Sequence, residues 1–192
     1  MTRFGYVMAT YFTVLGTGIT AFVSMPLRLV WNASASVPIG LYDVGPSRDL
    51  SVGDIVAVMP PRPLADFMVE RGYIARGVPL MKHVAALPGQ TVCRLKSTVT
   101  VDGMVLGAAL DRDRIGRNLP VWQGCRRIGA GGSFLMNAAV RDSLDGRYFG
   151  PIPAGTVIGR ATPVYTDEAG TGDFVWRAEV PAAPVAVGME HQ

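Results

Sequence analysis

The apolar residues of this chain fall into short stretches, and glycine, proline or polar residues end most of them. Short stretches of this kind, with 23 glycines and 14 prolines in 192 residues, are typical of β-strands joined by turns. The pattern predicts strands over residues 52–59, 80–87, 133–136 and 156–164, and a hairpin over residues 98–106. Asp102-Gly103 is the predicted turn of that hairpin. We therefore expect a mainly β protein.

The remaining segments predict less regular structure. Residues 64–71 have apolar side chains at helical spacing and predict a short helix. Residues 31–42 predict a loop leading into a strand, and residues 142–150 predict a polar loop. Residues 166–192 show no periodicity and predict a loose C-terminal tail. The length and the 49% hydrophobic composition are those of a single domain, which we place at residues 31–165.

The N-terminal residues 4–27 carry no charge and lie between Arg3 and Arg28. This length matches the ~20 residues that span a bilayer as a helix. A cleavable signal peptide is the alternative, and Ala33-Ser34-Ala35 resembles a cleavage site. That site lies beyond Arg28, however, and the uncharged run is longer than the roughly 7–15 residues of an ordinary signal-peptide core. We therefore expect a retained transmembrane anchor, which makes the lipid bilayer a partner.

Charge and cysteine content exclude several classes of function. The net charge of +3 is too small to indicate nucleic-acid binding, and the five arginines between 112 and 127 are preceded by or interleaved with aspartates, as in a solvated loop. Two cysteines, Cys93 and Cys125, cannot form a four-cysteine zinc site, and together with His83 they lack the usual ligand spacing. We expect no metal. The cysteines would form a disulfide in an exported domain or remain two buried thiols in the cytosol.

A serine and a lysine are candidates for nucleophilic chemistry. Ser36 lies in a bend rich in proline and glycine, and Lys82 lies among apolar residues on a predicted strand. A serine needs a base, and a lysine acts as one only if desolvation brings its pKa well below ~10.4. His83 would point away from Lys82 on the strand, which favours a Ser-Lys pair over a Ser-His-Asp triad. Ser34 would project from the same side as Ser36 and could help bind an oxyanion.

Each of these residues also has a simpler interpretation. Serines such as Ser34 and Ser36 are common in turns, and Lys82 could be a surface lysine whose stem lies over the sheet edge. Periodicity alone leaves these alternatives open.

Several sequence blocks, taken in order, resemble the type I signal peptidases, and most closely the TraF-type peptidases of conjugative plasmids. They are residues 34–42 (SASVPIGLY), 52–56 (VGDIV), 82–89 (KHVAALPG) and 142–151 (DSLDGRYFGP) with 158–161 (IGRA). Housekeeping signal peptidases carry Gly-Asp-Asn-Arg before the closing serine, whereas this chain reads MNAAVRD over residues 136–142. This difference, and the short segment between the lysine and closing blocks, fit the TraF-type enzymes better.

The resemblance implies a signal-peptidase/LexA-like antiparallel β-domain on an N-terminal transmembrane helix. The domain would face the periplasm from the bacterial inner membrane. By the same resemblance Ser36 is the nucleophile and Lys82 the general base of a serine endopeptidase, and no cofactor is used. Ser34 would add an oxyanion donor, and the Ser143 hydroxyl would hold the lysine amine. Asp145 and Arg147 would form a structural ion pair under the site.

The implied substrate is the precursor of a conjugative pilin, cut after a small residue. Water, or the pilin's own N-terminal amine, would resolve the acyl-enzyme, and the second route makes a cyclic pilin. Contact with the conjugation secretion apparatus would accompany this function. The alternatives are a general leader peptidase, a non-catalytic scaffold of the conjugation channel, and a self-cleaving repressor of the LexA type. The apolar N-terminus and the lack of a DNA-binding helix pair argue against the repressor.

Overall fold

The computed structural model describes residues 2–22 and 28–179. In these ranges the helices are α1 (Arg3–Phe22), α2 (Arg62–Glu70) and α3 (Gly146–Phe149), with a 3-10 turn at Ala154–Thr156. The strands are β1 (Leu29–Asn32), β2 (Ile39–Val44), β3 (Ile55–Val58), β4 (Leu80–Ala86), β5 (Thr91–Leu95), β6 (Thr98–Val101), β7 (Met104–Ala108), β8 (Gly124–Arg127), β9 (Gly132–Leu135), β10 (Ile152–Pro153), β11 (Val157–Asp167) and β12 (Val175–Trp176).

Most of these strands form one large antiparallel sheet. Its order within the described residues is β1-β2-β11-β3-β4-β9-β10, and β12 pairs with β11. The long strand β11 therefore lies between two hairpin-like pairs, β1–β2 on one side and β3–β4 on the other. The mainly β, antiparallel prediction is confirmed.

The sequence of strand β3 is apolar at every position, and its place in the sheet explains why. All four of its residues are buried, because it lies between β11 and β4 and both of its faces are covered. Ile55 and Ala57 pack into one hydrophobic cluster, and Val56 and Val58 pack into another. A strand covered on both faces reads as a continuous hydrophobic run.

A smaller sheet has the order β7-β6-β5-β8. The predicted hairpin is its β6–β7 pair, and the turn residues Asp102 and Gly103 both have positive φ, 49° and 85°. Two positive φ values in succession are those of the tight turn that Asp-Gly favours. Cys93 and Cys125 lie opposite each other on β5 and β8 and are joined by a disulfide.

Two predicted loops contain regular structure. Residues 31–42, predicted as a loop leading into a strand, include the end of β1, because Leu29 to Asn32 pair with Asp43 to Gly40 on β2. Residues 142–150, predicted as a polar loop, contain α3. Asp145 caps that helix by accepting a hydrogen bond from the backbone N–H of Arg147.

The predicted boundary at Tyr165 lies inside a strand. Strand β11 continues to Asp167, and Thr166 is completely buried. Tyr165 stacks against Phe174 and Trp176, and this contact holds β12 against β11. The loose tail predicted over 166–192 is therefore wrong as far as residue 176, and residues 180–192 lie outside the described part of the chain.

Helix α1 covers most of the predicted anchor over residues 4–27, of which 23–27 lie outside the described residues. Across residues 2–22 and 28–179, no helix is both long and apolar enough to span a membrane. Threonines interrupt the apolar surface of α1, and the hydroxyls of Thr10, Thr13 and Thr17 donate to carbonyls four residues earlier. The predicted transmembrane helix is therefore not found within the described part of residues 4–27.

Candidate active site

Ser36 lies in the bend of residues 33–38, which joins β1 to β2. The bend begins where the pairing of the two strands ends, at Asn32 opposite Gly40. Inside it, the Oγ atoms of Ser34 and Ser36 lie 3.0 Å apart, within hydrogen-bond distance. The two serines that the sequence singled out therefore have neighbouring hydroxyls.

Gly40, two residues after the bend, allows a close approach between β2 and β11. Its φ is +148°, and a Cβ atom built there would lie 2.2 Å from the carbonyl oxygen of Tyr165. Strands β2 and β11 therefore approach more closely than any side chain at this position would allow. The glycine of the SASVPIGLY block has a packing function in this structure.

Lys82 lies on β4, opposite Val56 of β3, and is only 4% exposed. Its Nζ donates a hydrogen bond of 2.7 Å to Ser143 Oγ. Loss of solvation lowers the pKa of the Lys82 amine to about 8, from 10.5; Asp145 acts in the opposite direction, and Arg147 adds to the lowering. Roughly a tenth of the molecules near pH 7 would therefore carry a neutral amine, which is the form that accepts a proton.

A buried ion pair supports the segment that carries Ser143. Asp145 and Arg147 are 0% and 1% exposed, and two guanidinium nitrogens of Arg147 donate to the carboxylate at 2.9 and 2.8 Å. The other carboxylate contacts are the N–H groups of Asn137 and Arg147. Arg147 also donates to backbone carbonyls of the preceding loop, namely those of Asn137, Val140, Arg141 and Ser143. The pair thus shapes the loop that places the Ser143 hydroxyl against Lys82.

One cleft of about 790 Å³ joins these side chains, and Ser34, Ser36, Lys82 and Ser143 all line it. Its other walls include the apolar residues Met68, Val78, Leu80, Leu110, Leu119 and Leu144. A serine hydroxyl and a desolvated amine in one cleft are groups that can carry out acyl transfer. The ion pair of Asp145 and Arg147 lies behind this surface and does not line it.

The other predicted residues lie away from the cleft. His83 does not line it, and its Nδ1 lies 2.9 Å from the carbonyl oxygen of Gly53. The disulfide of Cys93 and Cys125 belongs to the smaller sheet and is likewise absent from the cleft walls. Within the described residues there is no group of three or more side chains able to hold a metal ion.

One wall of the cleft was missed by the sequence reasoning. The Tyr73 hydroxyl donates to Asp113 at 2.5 Å, Arg117 donates to the same carboxylate at 2.7 Å, and the Arg117 guanidinium lies over the Tyr73 ring. These hydrogen bonds hold the pKa of Asp113 below its ordinary value, and the one from Tyr73 has the largest effect. The arginine run was interpreted as a solvated loop; Arg112 and Arg114 are indeed exposed, and with Arg117 they also line the cleft. The i, i+4 spacing of Asp113 and Arg117 was a local signal for their ion pair. No local pattern indicates that Tyr73 joins it.

Comparisons with known proteins agree on one family. The family model described as signal peptidase, peptidase S26, matches residues 1–166. The conjugal transfer protein TraF of Agrobacterium fabrum is 35% identical over 147 residues, covering 70% of this chain and 81% of that protein. A plasmid transfer protein TraF from Escherichia coli is 34% identical over 145 residues, again covering 70% of this chain and 81% of the relative.

A solved structure, the signal peptidase I of Enterococcus faecalis, also resembles this chain. The match covers 59% of this chain and 97% of that one, at 20% sequence identity and a TM-score of 0.36. At this TM-score the likeness has no bearing on function.

Proposed function

Because the chain belongs to the signal peptidase family, peptidase S26, we propose that it is a serine endopeptidase with Ser36 as nucleophile and Lys82 as general base. The observation that carries this proposal is the buried Lys82 amine, held by Ser143 in the cleft that Ser36 also lines. The lowered pKa of that amine is what a lysine base requires. The support is geometric, and it is independent of the sequence blocks that carry the resemblance.

The reaction follows from the groups present. The neutral Lys82 amine takes the Ser36 proton, and Ser36 Oγ attacks the substrate carbonyl carbon. The oxyanion accepts hydrogen bonds from the Ser34 hydroxyl and the Ser36 backbone N–H. When the C–N bond breaks, the protonated Lys82 returns the proton to the leaving amine. Water, deprotonated by Lys82, then cleaves the ester of the acyl-enzyme and regenerates Ser36.

The relatives named as conjugal transfer proteins support a substrate in conjugation. We propose the precursor of a conjugative pilin, from which the leader peptide is removed. If the pilin's own N-terminal amine attacks the acyl-enzyme in place of water, the product is cyclic. An extended substrate segment beside the Ser36 bend would form main-chain hydrogen bonds, with small side-chain pockets for specificity.

We also propose that the protein is attached to the inner membrane by residues 4–27, with its β-domain in the periplasm. The disulfide of Cys93 and Cys125 supports an oxidising compartment, since such bonds are rare in the cytosol. The uncharged run between Arg3 and Arg28 supports attachment at its N-terminal end. The conjugation secretion apparatus would then be a neighbour in the same membrane.

The test is the intact mass of the pilin subunit from cells that carry wild type, Ser36→Ala, Lys82→Ala or the control Ser97→Ala. Ser97 is an exposed serine in the turn between β5 and β6. Wild type and Ser97→Ala should yield a trimmed pilin. Ser36→Ala and Lys82→Ala should leave the full precursor. A product lighter by one water than the linear peptide would add cyclisation. Identical pilin masses in all strains would refute the proposal and favour a scaffold.

The same strains separate a pilin peptidase from a general leader peptidase. Depletion of a general enzyme should arrest growth, because many exported proteins would keep their leaders. Depletion of a pilin-specific enzyme should abolish conjugation and leave the growth rate unchanged.

A further inference from the structure

Asn32 is a buried polar residue with an unusual set of partners. It is the last residue of β1 and is 5% exposed. Its Nδ2 atom lies 2.7 Å from the carbonyl oxygen of Ser34 and 3.0 Å from those of Val37 and Pro38. One side-chain amide thus contacts three carbonyls of the bend that carries Ser36.

The orientation of the Asn32 amide is fixed by these partners. Its Oδ1 atom accepts hydrogen bonds from the backbone N–H and the hydroxyl of Ser34, at 3.2 and 3.0 Å. A flipped amide would place an oxygen against three carbonyl oxygens and an NH₂ group against an N–H donor, which is unfavourable at each of these four contacts. The assignment therefore follows from the whole network.

This network also fixes the direction of the hydrogen bond between the two serines. A hydroxyl has one proton, and the Ser34 proton is donated to Asn32 Oδ1. Ser34 Oγ can then only accept from Ser36, whose Oγ lies 3.0 Å away. Before substrate binds, the Ser36 hydroxyl is thereby held in a chain that runs through Ser34 to Asn32. In the proposed reaction the Ser36 proton turns from Ser34 to Lys82, and the Ser34 proton then turns from Asn32 to the oxyanion.

Tyr42 holds the other end of the bend. It is fully buried on β2, and its hydroxyl donates to the carbonyl oxygen of Pro38 at 2.7 Å. The Pro38 carbonyl therefore accepts from Asn32 on one strand and from Tyr42 on the neighbouring strand. Neither side chain belongs to the dyad.

We propose that Asn32 and Tyr42 are positioning residues that hold the Ser36 bend in its reactive geometry. The proposal rests on the proposed function, since it assigns them to the same nucleophile. Both act through other groups: Asn32 through the bend carbonyls and the Ser34 hydroxyl, and Tyr42 through Pro38. A misplacement of the nucleophile by about 1 Å can cost about 100-fold in rate.

The test is steady-state cleavage by the full-length chain of a fluorogenic peptide that spans the pilin cleavage site. The variants are Asn32→Ala, the isosteric Asn32→Asp, and Tyr42→Phe, which removes only a hydroxyl. Both Asn32 variants should lower kcat about 10–100-fold, and Tyr42→Phe about 3–10-fold, at unchanged KM. The pH midpoint of kcat/KM should not move in Asn32→Ala or Tyr42→Phe, because neither change adds a charge to the cleft that Lys82 lines. The control Val99→Ala, in the core of the smaller sheet, should lower stability without changing kcat.

A second readout needs no activity. Amide hydrogen exchange at Ser34, whose N–H donates to Asn32, should become at least about tenfold faster in Asn32→Ala, while β4 amides keep their wild-type rates. Wild-type kcat in all three variants, or unchanged Ser34 exchange, would overturn the proposal. A shifted pH midpoint in Asn32→Ala or Tyr42→Phe would also overturn it, because it would show a general disturbance of the site.

Failure of the proposed function looks different. In that case Ser36→Ala would cleave the peptide as wild type does, or wild type would not cleave it, and the exchange rates alone would decide whether Asn32 orders the bend.

Discussion

Replacement of Lys82 by methionine is expected to abolish peptide cleavage and at the same time to stabilise the folded chain. Burial lowers the pKa of Lys82 from 10.5 to about 8. Protonating this amine inside the fold near pH 7 therefore costs about 3 kcal/mol relative to the unfolded chain. Methionine has a similar length and no charge, and it forfeits only the hydrogen bond to Ser143, worth about 1 kcal/mol. The net gain in the free energy of unfolding is about 2 kcal/mol.

The gain should depend on pH in a definite direction. Between pH values of about 8 and 10.5 the unfolded state binds more protons at Lys82 than the folded state, so wild-type stability rises with pH across this window. Methionine has no such contribution. The advantage of the variant is therefore complete below pH 8 and disappears as the pH approaches 10.5.

The assay is urea denaturation of wild type and Lys82→Met at neutral pH and at a pH near 10, followed by fluorescence. Lys96→Met is the matched control, because Lys96 is the exposed lysine of the β5–β6 turn and its replacement should change stability by less than about 0.5 kcal/mol. A Lys82→Met chain no more stable than wild type at neutral pH would refute the reasoning. So would an advantage of equal size at both pH values, since the amine would then not be desolvated.

Two further predictions concern the same site. The kcat/KM of peptide cleavage should rise about tenfold per pH unit up to the Lys82 pKa of about 8 and level off above it, because only the neutral amine is a base; a plateau reached by about pH 6 would indicate a carboxylate base. Asp145→Asn should lower the free energy of unfolding by about 3–5 kcal/mol in urea denaturation, since Arg147 would remain buried without its carboxylate. Asp142→Asn, whose partner Arg114 is 81% exposed, should cost less than about 1 kcal/mol, and equal costs would contradict the argument.

The strands that the sequence predicted well are those whose signals are local. Strand β4 is apolar except for Lys82 and His83 and is followed closely by Pro88-Gly89, and the β6–β7 hairpin turns at Asp-Gly. Strand β1 was missed because it has four residues, of which Leu29 and Trp31 are exposed and Asn32 is polar. Strand β12 has two residues and depends on aromatic stacking with Tyr165, which no local pattern records.

The candidate site was predicted unevenly for a similar reason. Periodicity alone left open a surface position for Lys82, and the sequence blocks of the resemblance led to the opposite expectation. Its burial comes from pairing with β3 and from Ser143, 61 residues further along the chain. Asn32 was missed because its function depends on three carbonyls of a bend whose shape the sequence does not show. The contact of Tyr73 with Asp113 spans 40 residues and has no counterpart in the local pattern.

The position of β11 in the large sheet has a consequence for biosynthesis. Strand β11 lies between β2, which follows the Ser36 bend, and β3, which pairs with the Lys82 strand. The pairs β1–β2 and β3–β4 are synthesised before β11, and no strand joins them in the sheet until residues 157–167 have been made. Long-range pairing of this kind forms only when the last partner is present. A nascent chain therefore carries Ser36 and Lys82 apart, and the cleft that both residues line forms only after residues 157–167 have been made.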